Sequence, residues 1–147
     1  KCLRNEIPKE IGAFMNSAGG TVLIGINDLG SIVGLDRDYV FIEPERDTQT
    51  KQDKLKQEIH SYVKTKLDDV NLESDYNVMI KEIDGHEIAV IQIKPSSKPV
   101  FVNVSVKYVK CGTEKLLNDE KPIFYIRTDS GTEKLNVRDV FEYWKKK

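Results

Sequence analysis

The octapeptide HEIAVIQI, residues 86–93, is apolar on both of its faces. A strand with one face in water alternates apolar and polar side chains, so this pattern predicts a central strand of a sheet. Asp84-Gly85, a favoured hairpin dipeptide, joins it to a second predicted strand over residues 76–83. A chain built around such a strand needs helices or further strands to cover it. Residues 48–66 supply a helix with Leu55, Ile59, Tyr62, Val63 and Leu67 on one face. Its Lys51, Lys54, Lys56, Lys64 and Lys66 read as a solvated face.

The stretch AFMNSAGGTVLIGINDLGSIVGL, residues 13–35, packs five glycines among apolar residues. A phosphate-cradling loop runs from strand through glycines to a helix N-terminus. Here the order is reversed. Ile7, Ile11 and Phe14 fall on one helical face, with Asn5 as N-cap and Pro8 in the first turn. Gly19-Gly20 then closes the helix. Residues 21–26 follow as a strand, residues 27–30 as a turn and residues 32–35 as the returning strand. Gly19, Gly20 and Gly30 are therefore expected to serve backbone geometry rather than a ligand.

Residues 36–46 read as an irregular connector, and residues 95–99 as a turn-rich break between two prolines. Residues 100–102, 104–109 and 123–127 read as strands, with a polar loop over residues 110–122. After a turn at residues 128–133 comes a final helix with Val137, Val140, Phe141 and Trp144 at i, i+3, i+4 and i+7. Lys145, Lys146 and Lys147 stand at the favourable pole of its dipole. The expected class is α+β: a single, mostly antiparallel or mixed sheet packed with two or three helices, in one domain over residues 1–147.

Charged residues make up 32% of the chain, but the net charge is −1. Any nucleic-acid site must then come from local segregation of charge. Cys2 and Cys111 are too few for a zinc site, and His60 and His86 show no metal spacing. There is no apolar run of membrane length and no signal peptide, so the expectation is a reduced, cytoplasmic protein without a membrane partner. The chain begins at Lys1, directly before a helix, so natural N-terminal residues are expected to be missing.

Three collinear pieces resemble one family. IGAFMNSAGGTVLIGINDLGSIVGLDRDY is similar to the signature "AFaN…GG…liGv.d.G.ivGl" of the Schlafen AlbA-type domain. IKPSSKPVFV, residues 93–102, resembles its "v.ps..Pvyv" segment, and FYIRTDSGTEKLNVRDVFEYW its "fYvR.g.st..l…e…y" close. The resemblance implies a nucleic-acid-binding domain, for DNA or RNA, often attached to a regulator. In the animal Schlafen branch, related domains cut structured RNA with three carboxylates on a divalent metal. Two of those acids would come from an "E….EfK" segment before the first helix, which these residues do not contain. The third falls at Asp28, beside Asn27. One carboxylate does not hold Mg²⁺ or Mn²⁺, so no catalytic residue, metal or cofactor is expected in this chain, and Asp28 becomes catalytic only with the upstream acids restored.

The residues themselves offer Arg127 at a strand end, before the turn Thr128-Asp129-Ser130-Gly131-Thr132. Its guanidinium can fork onto phosphate while the hydroxyls of Thr128, Ser130 and Thr132 add contacts. The alternative is that it pairs with Asp28 or another acid and fixes the turn. Lys98, Lys107 and Lys110 would extend a basic stripe, with Tyr108 and Tyr125 as stacking rings or half-buried packing. An accessory nucleic-acid-binding module is the preferred reading, with a truncated endoribonuclease or a protein-interaction module, including a homodimer, as alternatives.

Overall fold

The computed structural model describes residues 3–40, 50–109, 112 and 116–147; for residues 3–5, 106–109 and 116–118 it describes the backbone alone. Cys2, Lys110 and Cys111 lie outside the described residues. Helix α1 (Leu3–Met15) is followed by β1 (Gly20–Ile24), the one-turn α2 (Asp36–Tyr39) and α3 (Lys51–Lys66). The hairpin β2 (Tyr76–Ile83) and β3 (His86–Ile93) comes next, then β4 (Phe101–Val109), β5 (Leu116–Thr128), β6 (Gly131–Leu135) and α4 (Val137–Lys146). The class is α+β. The strands, however, form two antiparallel sheets of three, β1-β3-β2 and β4-β5-β6, where the sequence suggested one.

The residues between β3 and β4 account for the division. Pro95 and Pro99 have no N–H to give a ladder. Ser96 instead donates its N–H to the Met15 carbonyl at the end of α1 (2.7 Å), and Lys94 to the Asp75 carbonyl (2.9 Å). The chain therefore leaves the first sheet beside α1 and starts the second on the other side of that helix. As its sequence predicts, β3 is the middle strand of its sheet, between β1 and β2. Ala89, Ile91 and Ile93 face the core. Ile88 and Val90 on the opposite face are also buried, among Leu23 and Met79 of the flanking strands.

One core joins both sheets. It holds Ile7, Ile11 and Met15 of α1, Leu55, Ile59 and Val63 of α3, Ile91 of the first sheet and Val102 of the second. Ile59 and Ile91 are both fully buried within it. Thr50 caps α3, its hydroxyl accepting the Asp53 N–H at 3.1 Å. At Gly12 the two layers come so close that an added Cβ would stand 2.8 Å from a methyl of Val102.

Asn16, fully buried just past α1, ties the layers together. Its amide donates to the carbonyls of Val100 (2.7 Å) and Tyr125 (2.9 Å), and its side-chain oxygen accepts the Val100 N–H (2.8 Å). The start of β4 and the middle of β5 are thus set relative to the end of α1. From the far side of the second sheet, the Tyr143 hydroxyl donates to the Asn16 main-chain carbonyl (2.7 Å). Lys147 reaches the carbonyls of Met15 and Ser96, which is a closer docking of the last lysine than a solvated helix end.

Four local readings change. α1 begins at Leu3, so Asn5 is not its cap and Pro8 lies inside the helix, fully buried, where the carbonyl four residues back loses its helical donor. Residues 32–35 make one bridge, Ile26 to Ile32, and no strand, because both Val33 and Gly34 donate to the Gly25 carbonyl and the chain turns into α2. Part of the expected loop at residues 110–122 is the first half of the long strand β5, and the expected turn at residues 128–133 contains β6. α4 packs through Val140, Tyr143 and Trp144, the last two edge-on to Phe124, which leaves Val137 88% and Phe141 71% exposed.

Candidate functional site

Strand pairing fixes which side chains share a face. In the second sheet Val104 stands opposite Lys121, Tyr125 opposite Lys134 and Arg127 opposite Thr132. Residues directly opposite in antiparallel strands point to the same side, so these six lie on one face, and α1 covers part of it.

Arg127 does not meet Asp28. Its Nη1 donates to Glu10 Oε2 of α1 (3.2 Å) and to the Thr132 hydroxyl (3.0 Å), and that hydroxyl donates in turn to the same carboxylate oxygen (3.0 Å). The guanidinium carbon lies 5.2 Å from the centre of the Phe14 ring, and the Arg127 N–H donates to Ser17 Oγ (2.8 Å). The arginine therefore pins β5 to α1, with an acid 117 residues away in sequence. Its side chain is still 40% exposed, against 21% for Glu10. A pair this open to water contributes little on its own, and the hydrogen bonds and ring contact add to it. Arg127→Ala is expected to lower stability by about 1 kcal/mol, read as a small shift in urea midpoint at constant m-value. A loss near 4 kcal/mol would mean a buried charge left unpaired.

The neighbouring hydroxyls serve the hairpin. Thr128 Oγ1 donates to the Gly131 carbonyl and accepts the Ser130 N–H, both at 3.2 Å, and Thr132 completes the Arg127–Glu10 bridge. Ser130 is exposed at the tip. Lys98 is not brought to this face; it sits in the turn before β4 with Asp69 at 3.7 Å, both largely exposed. Lys107 belongs to the described backbone of β4, opposite Asn118, but its side chain and the whole of Lys110 lie outside the described residues.

The cations that do line this face are Lys9, Lys121 and Lys134. Among the described residues none of the three has a carboxylate partner. Lys9 lies over the Tyr125 ring, 5.4 Å from its centre. Burial, and then the charge of Glu6, push the Tyr125 phenol up from its ordinary value, so it stays a neutral donor at physiological pH. Period-two counting back from Arg127 would have reached Lys121 had the strand been extended past Ile123. Lys134 was hidden because β6 reads as a turn. Between α1, the end of α3 and strands β4 and β5 lies a cleft of about 260 Å³, lined by Glu6, Lys9, Lys66, residues 102–105 and Tyr125.

Asp28 is exposed at the tip of the turn after β1. That turn is organised by Asn27, whose side-chain oxygen accepts the N–H groups of Leu29 (3.0 Å) and Ser31 (2.9 Å). Among the described residues no three His, Cys, Asp or Glu side chains converge. Asp28 is thus not part of such a cluster among the described residues, and a divalent ion wants several oxygens. His60 contacts the buried Tyr76 hydroxyl, and Glu87 accepts from Tyr39 (3.0 Å) and from Gln52, so both are used within the fold. Among the described residues no helix is long and apolar enough to cross a membrane.

Residues 1–136 match the family model described as Schlafen, AlbA_2. No curated protein and no solved structure matches the chain.

Proposed function

We propose that this chain, which belongs to the Schlafen AlbA_2 family, binds nucleic acid through the α1-covered face of its second sheet, as an accessory module of a larger protein. The observation that carries this reading is the trio Lys9, Lys121 and Lys134, cationic, without carboxylate partners among the described residues, and on the same face as Tyr125. A chain of net charge −1 has no general attraction for polyanions, so cations gathered on one face are what a phosphate backbone would recognise. Arg127 borders the same face. Among the described residues only its Nη1 is hydrogen-bonded, to Glu10 and Thr132, which leaves its remaining donors for a second, phosphate-directed use beside its structural one. Ser130 at the exposed hairpin tip would add a hydroxyl contact. Lys98 is at most an outlying contact in this reading.

The test is a salt titration of a labelled oligonucleotide by fluorescence anisotropy. Lys121→Gln with Lys134→Gln is expected to make the slope of log affinity against log salt shallower by about two units, whatever the base sequence. Binding unaffected by salt, or a slope unchanged in the double variant, would overturn the assignment of this face.

A second reading, a protein-interaction module, is favoured by Val137 and Phe141, adjacent on α4 and both exposed. The endoribonuclease reading would need acids beyond Asp28, and no step through a metal follows from the residues here.

A further inference from the structure

We propose that the cleft between α1 and the second sheet is a slot for one guanine nucleotide unit, its base against Tyr125 and Val104, its Watson–Crick edge on Glu6 and its phosphate on Lys9 and Lys66. The inference rests on the nucleic-acid reading above and deepens it. It says which form of nucleic acid the face takes: a strand with an unpaired guanine.

Size is the first argument. The cleft, about 260 Å³, falls just below the range of sites that enclose a drug-sized molecule, roughly 300–1,000 Å³. It has room for a single base. Wall chemistry is the second. Val102 and Val104 give apolar surface and Tyr125 a ring of the kind that holds the flat face of a base, once the Lys9 ammonium that lies over it turns to the phosphate; stacking of this kind does not need a paired strand.

The third argument is the distribution of charge. Glu6 lines the cleft and makes no hydrogen bond to another described residue. A carboxylate only accepts, and its two oxygens suit two parallel donors. Among the bases, guanine presents a ring N–H and an amino group side by side on its Watson–Crick edge. Thymine and uracil offer one N–H flanked by carbonyls, which would repel the second oxygen. Lys9 and Lys66 line the same cleft, so a base on Glu6 has two cationic side chains at hand for its phosphate. Lys66 is held by one bond to Glu120 (3.0 Å), with its side chain only 14% exposed, so its ammonium is already positioned. In a duplex the Watson–Crick edge is engaged and the base stacked, which excludes paired guanine from such a slot.

The same chemistry has two sources, a guanosine within a single strand or a free guanine nucleotide. The chain would be titrated with a labelled single-stranded oligonucleotide carrying one guanosine, with the same strand carrying inosine there, and with its duplex. Inosine keeps the ring N–H and loses the amino group, so affinity should fall about tenfold, and the duplex should bind no better than the inosine strand. Glu6→Gln should abolish the difference between guanosine and inosine while leaving the salt slope in place. Displacement of the strand by guanosine monophosphate at low concentration identifies the free nucleotide as ligand, and resistance to millimolar guanosine monophosphate identifies the strand. Equal affinity for the guanosine and inosine strands, with salt-dependent binding intact, overturns the slot and leaves the cationic face standing. Absence of binding to every oligonucleotide at low salt overturns both. The inosine comparison keeps the protein constant, so it decides the matter even where Glu6→Gln fails to fold.

Discussion

Replacing Asn16 by leucine is expected to cost about 3 kcal/mol or more. Leucine matches the amide in bulk but offers no donor and no acceptor. Three hydrogen bonds of 2.7–2.9 Å disappear: the Val100 N–H and carbonyl lose their side-chain partner in buried surroundings, and the Tyr125 carbonyl in partly buried ones. Each buried group left unsatisfied costs about 1–3 kcal/mol, and this one substitution removes the partner of all three. Asn16→Asp should fare no better: it keeps an acceptor for the Val100 N–H, loses both donated bonds, and buries a charge. Urea unfolding at constant m-value measures the effect. A loss below about 1 kcal/mol for both variants would show that water or a backbone shift replaces the amide. The consequence extends to the proposed interface, because Asn16 holds Tyr125 by its carbonyl and Tyr125 forms one wall of the cleft.

Asn16 also marks the limit of what could be read beforehand. It stands in the string AFMN, which carries the family resemblance, yet as a residue it is an ordinary polar position near a helix end. Its partners are 84 and 109 residues away. The elements whose evidence is local were legible: the apolar faces of α1 and α3, the Asp84-Gly85 hairpin, and β3 as a middle strand. Elements decided by tertiary partners were not. The two prolines that announced a break gave no sign that the break separates two sheets. β6 is short, and its burial pattern lacks a fully buried residue, so its five residues resemble a turn. The final helix is legible from its spacing, but its half-buried stripe is turned toward Tyr143 because Phe124 receives the tyrosine and tryptophan edges. At the candidate site, a strand-end position singles out Arg127 in the sequence. Its acid, Glu10, was invisible because nothing local relates the two, whereas Asp28 was inferred from a motif and proves to sit on an exposed turn.

Gly19→Ala is expected to cost about 2–4 kcal/mol, two or more times the cost of Gly30→Ala, although the two backbones are alike. Gly19 has φ +73° and Gly30 φ +81°, a region where an L side chain costs about 1–2 kcal/mol. Around Gly30 no described residue lies within 4 Å of an added Cβ, so the conformational cost stands alone there. At Gly19 the same Cβ would stand 2.6 Å from the Ile93 carbonyl oxygen and 2.9 Å from Pro95 Cδ. Neither is the end of a flexible side chain. One is backbone at the end of the central strand, and the other is a ring fixed in the break between the sheets. The Gly19 N–H also donates to the Phe14 carbonyl (2.9 Å), closing α1 so that the Phe14 ring lies under Arg127. Relief of the clash must therefore move the end of α1 away from β3, against the Ser96 to Met15 bond and the Asn16 contacts beside it. Thermal or urea unfolding of the two single variants isolates this packing cost as their difference. Equal losses would show that the helix end has slack and that Gly19 serves conformation alone. An alanine at position 19 that left stability intact while weakening oligonucleotide binding would instead place this glycine at a ligand.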